Sequence, residues 1–181
     1  MKHSGDGPRG SALADYFLTT ARLGFRAWRA DDEALIRAIW GDPEVTRYSG
    51  GPFADAEVLQ RLADEIANLS RHRVQYWPIF RREDGAHLGC CGLRPKDGPD
   101  DFELGFHLRR EAWGQGYALE AARAVIAWAP TTGAASLMAG HHPDNQASGT
   151  LLSKLGFVYY GDEYYPPTGL IEPCYRLTLA R

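Results

Sequence analysis

Arg109-Arg110-Glu111-Ala112-Trp113-Gly114-Gln115-Gly116-Tyr117-Ala118 lies between a strand pattern and a helix pattern, and its reading decides the fold. Glycines at i and i+2 let the backbone bend so that successive N–H groups point into one concavity. The N-terminus of the following helix adds partial positive charge. That is the chemistry of a pyrophosphate cradle. Taken alone, a Gly-x-Gly before a helix is equally a plain tight turn. Neither general phosphate fingerprint matches, since the Walker A lysine is missing, as are the third glycine and the ribose-binding acid of a dinucleotide site. The surrounding chain has to decide.

Upstream of the turn, the periodicity predicts three short strands, Gln75 to Phe80, His87 to Leu93 and Phe102 to Leu108, separated by Arg82-Glu83-Asp84-Gly85 and Pro95-Lys96-Asp97-Gly98-Pro99. An antiparallel meander is the simplest topology for them. Before these, Leu23, Phe25 and Ala27 alternate with polar or small residues as a strand. Leu35, Ile36, Ile39 and Trp40 share one helical face that Gly41 and Pro43 end. Val58, Leu59, Leu62, Ile66 and Leu69 form the stripe of a second helix opened by Asp55. Downstream, a helix runs from about Gly116 to Ala129 and another from about Asn145 to Leu155, with strands near Ser136 to Ala139, Phe157 to Tyr160 and Tyr175 to Leu179. The expected fold is α/β (α+β), a mixed, mostly antiparallel sheet of about seven strands flanked by about four helices. Residues 19–181 form its single domain, and residues 1–18, opening His3-Ser4-Gly5-Asp6-Gly7-Pro8, form a flexible extension.

Composition removes several classes of function. The chain has 181 residues, 44% hydrophobic, with 20 Lys+Arg against 23 Asp+Glu and a net charge of −3, which argues against a broad nucleic-acid-binding face. No segment approaches the roughly 20 apolar residues of a membrane helix, and the polar, Gly-rich start lacks a signal-peptide core. Cys90, Cys91 and Cys174 do not make a disulfide framework, because adjacent Cys90 and Cys91 would face opposite sides of a strand. The expected setting is a reducing cytoplasm, with no membrane and no nucleic-acid partner.

The decisive context is Asn145-Gln146-Ala147-Ser148 followed by Lys154-Leu155-Gly156-Phe157. Singly, Asn145 is a helix cap, Gly156 a helix stop and Phe157 a core residue. Together with Thr20-Ala21-Arg22-Leu23, Arg26, Asp42-Pro43-Glu44-Val45, Tyr48, Trp113 through Ala118 and Glu120-Ala121, they make the chain similar to the GNAT N-acetyltransferase superfamily. Within it, the chain resembles the RimJ/RimL-like branch of ribosomal-protein N-terminal acetyltransferases. The likeness spans about residues 19–180, in four blocks in the right order.

The resemblance implies acetyl-CoA as co-substrate and no metal. It places the pyrophosphate on Trp113, Gly114, Gln115, Gly116, Tyr117 and Ala118, and the pantetheine arm along the backbone of Phe106, His107 and Leu108, where such a sheet splays open. Asn145 matches the side chain that holds a pantetheine amide, and Lys154 lies near the CoA phosphates. Glu111 departs from the pattern, being an acid where relatives often carry Gln or Arg. Leu152 stands where many relatives carry a tyrosine general acid, which leaves Ser148 to hydrogen-bond the departing thiolate, as its counterpart does in the RimL-like branch.

Acetyl transfer to an amine requires a neutral nitrogen, whereas an alkyl ammonium has a pKa near ~10. Glu103 occupies a place where relatives carry a carboxylate that works through water, and burial would raise its pKa toward a useful range. An ordinary solvent-facing strand carboxylate is the alternative, and His107 is the competing base. A backbone N–H near Leu108 is the natural donor to the oxyanion. The cysteines have no nucleophile setting, which favours direct transfer. His141-His142 with Asp144 lacks metal-ligand spacing, and the absence of a Gly-x-Ser-x-Gly elbow leaves a serine hydrolase unanchored.

The expected activity is therefore transfer of acetyl from acetyl-CoA to a primary amine, on a protein or peptide N-terminus or on a small molecule. A non-catalytic acyl-CoA-binding sensor of the same fold is the rival, kept open by the missing tyrosine. Tyr159-Tyr160 and Tyr164-Tyr165-Pro166-Pro167, read as a loop between the last two strands, suit an acceptor wall and a homodimer contact equally.

Overall fold

Adjacent on one strand, Cys90 and Cys91 go to different cores. Cys91 joins Trp77, Leu93, Leu104, Val125 and Leu137, and Cys90 joins Trp28, Ile36, Ile39 and Trp40. The alternation of a strand thus divides the molecule into two apolar layers, one on each face of a sheet. The computed structural model describes residues 15–96, 98 and 101–179.

The strands are β1 (Leu18–Thr19), β2 (Leu23–Phe25), β3 (Tyr76–Arg81), β4 (His87–Pro95), β5 (Asp101–Leu108), β6 (Ser136–Gly140), β7 (Val158–Tyr165) and β8 (Leu170–Thr178), in sheet order β1-β2-β3-β4-β5-β6-β8-β7. The predicted meander is present, with β2 through β5 antiparallel in sequence order. On one face lie α1 (Glu33–Trp40) and α3 (Asp55–His72); on the other lie α4 (Tyr117–Trp128) and α5 (Gln146–Lys154). Among the described residues there are eight strands and five α-helices, one more of each than expected. The extra helix is α2 (Pro43–Thr46). Pro43, read as a stop, opens it, because Asp42 accepts the N–H groups of Glu44 and Val45 and a helix's first turn tolerates proline.

The extra strand, β1, begins inside the segment read as a flexible extension. Residues 1–14 of that segment lie outside the described residues, whereas Phe17 packs on Trp77 at a ring separation of 5.0 Å and donates its N–H to Phe25. A second correction concerns the aromatic tract. Tyr164 and Tyr165 belong to β7, which pairs with β8 as far as Tyr165↔Leu170, so the expected long loop is a hairpin. Charged and tyrosine residues exposed on both faces of an edge strand hide the period-2 signal that a half-buried strand shows.

One feature of the sheet positions everything that follows. β5 and β6 run parallel but pair only at Asp101↔Ser136, Phe102↔Leu137 and Glu103↔Met138. Beyond Glu103 the two strands part, and the β5 edge from Leu104 to Leu108 carries no neighbouring strand on that side among the described residues.

Candidate active site

The free edge of β5 opens into a cavity of about 640 Å³. Phe106, His107 and Leu108 border it from that edge. Trp113, Gly114, Gly116, Tyr117 and Ala118 border it from the turn before α4, and Asn145, Ser148 and Lys154 from α5. Glu103 lines the same cavity. Of the residues expected at the site, only Gln115 is left out of this lining: its carbonyl accepts from Arg22 Nη1 at 2.9 Å and its side chain folds back onto the Glu111 carbonyl.

Gly114 and Gly116 have φ of 69° and 78°, the left-handed region that makes glycine necessary here. Among the described residues, none of the N–H groups from Gly114 to Leu119 has a protein partner; the first bond of α4 is Glu120 N–H to the Gly116 carbonyl. Unsatisfied donors at a helix N-terminus facing a cavity are an anion site. The turn is braced from both sides. Trp113 Nε1 donates to the Leu108 carbonyl at 2.8 Å, and Arg22 reaches both Gln115 and Glu120, whose carboxylate also accepts from Thr20 Oγ1. Two sequence blocks far apart in the chain thus form one clamp.

Asn145 caps α5, its Oδ1 accepting from Ser148 N–H at 3.2 Å. The cap fixes the first turn of α5 and thereby the Ser148 side chain, which has no protein hydrogen-bond partner among the described residues. Leu152, where a tyrosine acid was ruled out, is fully buried. Lys154 stands exposed at the cavity rim.

Across the β4–β5 ladder, Arg94 opposes Glu103, Gly92 opposes Gly105 and Cys90 opposes His107, so these residues share one face. The Tyr76 ring lies on Gly105 so closely that a Cβ there would come within 2.2 Å of it. Glu103 is half-buried in the cavity wall. Burial pushes its carboxyl above the ordinary range, and Glu163 and Glu172 push it further, while Lys96 and Arg94 oppose them. Lys96 is bonded to Glu163 at 2.7 Å, and Glu172 accepts from Thr168 Oγ1 at 2.9 Å. A carboxylate with a raised pKa in a cleft is a general-base setting.

His107 is a poorer base. Its ring lies tilted against Trp40 with the centroids 4.4 Å apart, and burial, with Arg94 and Arg61 nearby, drags its pKa to about 3. Cys174 also borders the cavity, but burial raises its thiol, so it supplies no thiolate. His141 bonds the Tyr175 hydroxyl and the His142 carbonyl, and His142 accepts from Asp144 N–H. Among the described residues no cluster of His, Cys, Asp or Glu has the makings of a metal site.

Tyr164 and Tyr165, offered from the sequence as an acceptor wall or a homodimer contact, do line this cavity, whereas sequence reading did not find Lys96, Glu163, Glu172 or Arg61 there. Arg94 was within reach, since a meander register pairs it with Glu103. Arg61 carried a weaker signal: it is a cation beside the helical stripe that runs Val58, Leu62 and Glu65 inward.

A strand pair that parts beside a glycine turn and a helix with unpaired amides is the arrangement that the resemblance to the GNAT superfamily leads one to expect. The family model described as an acetyltransferase (GNAT) domain matches residues 22–158, and the chain belongs to that family. It is 29% identical over 170 residues, 91% of this chain and 96% of the relative, to an uncharacterised N-acetyltransferase of Bacillus licheniformis. The fold is similar to that of an acetyltransferase from Agrobacterium tumefaciens, with TM-score 0.77, 25% identity and coverage of 88% of this chain and 92% of that one. RimL, a ribosomal alpha-N-protein acetyltransferase, matches in fold with TM-score 0.78 at 18% identity, over 96% of this chain and 99% of its own. A second RimL structure, with coenzyme A bound, matches with TM-score 0.75 at 17% identity, over 88% and 96% of the two chains.

Proposed function

We propose that this chain is an acetyl-CoA-dependent N-acetyltransferase that passes the acetyl group directly to a primary amine, on a peptide N-terminus or a small molecule. One observation carries the reading: a single cavity holds the unpaired amides of the glycine turn, the free β5 edge and a half-buried carboxylate with a raised pKa.

The residues present fit the co-substrate. The amides from Gly114 to Leu119 have no partner among the described residues and suit a pyrophosphate, the backbone of Phe106, His107 and Leu108 offers an edge without a paired strand among those residues to an amide-bearing arm, and Asn145 and Lys154 border the same path. Bound there, acetyl-CoA supplies an acyl group already activated as a thioester. Glu103 receives the proton of the acceptor ammonium, directly or through one water, so that the nitrogen lone pair is free to attack. Its raised pKa narrows the gap between base and ammonium. Ser148 Oγ donates to the sulfur as the thiol leaves. Trp40 and Tyr76 pack against the His107 ring in the wall of the same cavity and give it an apolar stretch.

The free thiols of Cys90, Cys91 and Cys174 support a reducing compartment. No helix among the described residues is long and apolar enough to cross a membrane.

The test is calorimetric titration with acetyl-CoA, followed in the same preparation by thiol release against a panel of amines and N-terminal peptides. Binding with turnover on any acceptor upholds the reading. Binding without turnover across the panel makes the chain a sensor of acyl-CoA, and no binding removes the co-substrate.

A further inference from the structure

Arg61 is the one cation of the cavity that α3 supplies, and its natural partners are spent. On a helix an arginine pairs with acids four residues away. Here Glu57 accepts the N–H of Ala54 at the start of α3, and Glu65 is taken by Arg94 and by Tyr76 N–H. Arg61 has no hydrogen bond or ion pair among the described residues. Its guanidinium is held all the same, 4.1 Å from the Phe53 ring centroid and 4.5 Å from that of Trp40. Stacking uses the faces of the group and leaves its in-plane N–H donors open.

Of the other Lys and Arg cations of the cavity, Lys154 stands exposed at the rim on α5, where the acetyltransferase reading gives it to the CoA phosphates, and the remaining three have partners. Arg94 bonds Glu65, Lys96 bonds Glu163, and Arg47 lies 4.0 Å from Glu44 and bonds the Tyr48 hydroxyl. Glu103, Tyr165 and Arg61 line the same cavity, and Tyr165 is near enough to feel the charges of both others. Burial and the nearby Arg94 disfavour the Arg61 charge, a cost that an incoming anion relieves. The cavity therefore presents a carboxylate suited to receive a proton from an amine and, in the same wall, a held guanidinium without an ion-pair partner among the described residues.

We infer that Arg61 is a specificity-determining residue that binds a carboxylate carried by the acceptor near its reactive amine. The inference rests on the acetyltransferase reading. Two acceptors carry this chemistry: a free amino acid, through its α-carboxylate, and a peptide N-terminus with an acidic residue just after it.

The experiment measures acetyl-CoA-dependent thiol release with matched pairs. One arm sets L-amino acids against their α-carboxamides. The other sets N-terminal peptides with Asp or Glu at the second position against the same peptides with Asn or Gln. In one arm kcat/KM for the acid exceeds that for its amide by about tenfold or more, the worth of a charge-assisted bond, and that arm names the source. Arg61→Gln abolishes the preference by lowering kcat/KM for the acid at least about tenfold while leaving the amide within about twofold, and Arg61→Lys restores part of it. Titration of the preferred acid onto CoA-saturated protein gives a Kd about tenfold higher in Arg61→Gln.

Turnover with no preference in either arm overturns the role of Arg61 and spares the acetyltransferase reading, as does an Arg61→Gln loss that is equal for acid and amide. Acetyl-CoA binding with no turnover in either arm removes both. If Arg61→Gln does not fold, the wild-type preference and Arg61→Lys decide.

Discussion

Arg94 stands directly opposite Glu103 in the β4–β5 ladder, yet its guanidinium turns away to bond Glu65 and to lie 4.1 Å over the Tyr76 ring. The closest cross-strand cation is thus withheld from Glu103. Glu65, 1% exposed, is what withholds it, accepting from Arg94 and from Tyr76 N–H at 2.8 Å. A carboxylate paired with an arginine has its pKa lowered and makes a weak base; one left beside it but unpaired keeps the elevation that burial imposes.

As the proposed base, Glu103 is expected to set the acid limb of activity. Because burial raises its pKa, the base form is lost as pH falls through a value above the ordinary carboxylate pKa of ~4.3, and kcat/KM falls with it. The stability consequence has the opposite sign to that of a salt-bridged acid. With the folded pKa above the unfolded one, stability is lost as pH rises between the two. Glu103→Gln therefore melts at a higher temperature than wild type at pH 7, and the gain shrinks toward zero below about pH 4, as thermal scans across pH would record.

Glu65→Gln breaks a buried ion pair and costs about 3 kcal/mol or more in urea unfolding. In the variant that folds, Arg94 is released toward Glu103, so the acid limb of kcat/KM moves to lower pH. A limb that stays in place contradicts the account of how Arg94 is withheld.

Gly116 holds φ of 78° at the N-terminus of α4. Gly116→Ala costs about 1–2 kcal/mol of stability through left-handed strain. It also weakens acetyl-CoA binding about tenfold by disturbing the amides that face the cavity, which denaturant titration and calorimetry would resolve separately.

His87 is buried against Trp28 and Phe80, and neither ring nitrogen has a partner among the described residues. Burial, with Arg109 beside it, holds its pKa at about 4 against an ordinary 6.5. A depressed histidine contributes stability that is present above about pH 6.5 and lost as pH falls toward 4, because the unfolded chain takes up the proton first. His87→Leu flattens that stretch of the stability curve and gains about 1 kcal/mol at neutral pH by removing unpaired polar atoms.

What was legible in sequence divides by range of interaction. The meander, α1, α3, α4 and α5 announce themselves through local periodicity, and the glycine turn through a backbone requirement that few residues meet. The parting of β5 from β6 is not written in either strand; it follows from a register that stops at Glu103↔Met138. Tyr164 and Tyr165 were hidden because an edge strand exposed on both faces shows no alternation. Arg61 was hidden because its meaning lies in what its neighbours do: Glu57 is spent on a cap, Glu65 on another strand, and two aromatic rings hold the guanidinium.

The central claim is that one cavity binds acetyl-CoA through the turn before α4 and uses Glu103 as its base. The most direct measurement compares Glu103→Gln with wild type for kcat on a working acceptor and for Kd of acetyl-CoA. The account predicts a kcat lower by about 10²-fold at least, with a Kd unchanged within about twofold. A variant that turns over like wild type, or one that loses acetyl-CoA binding along with activity, would contradict it.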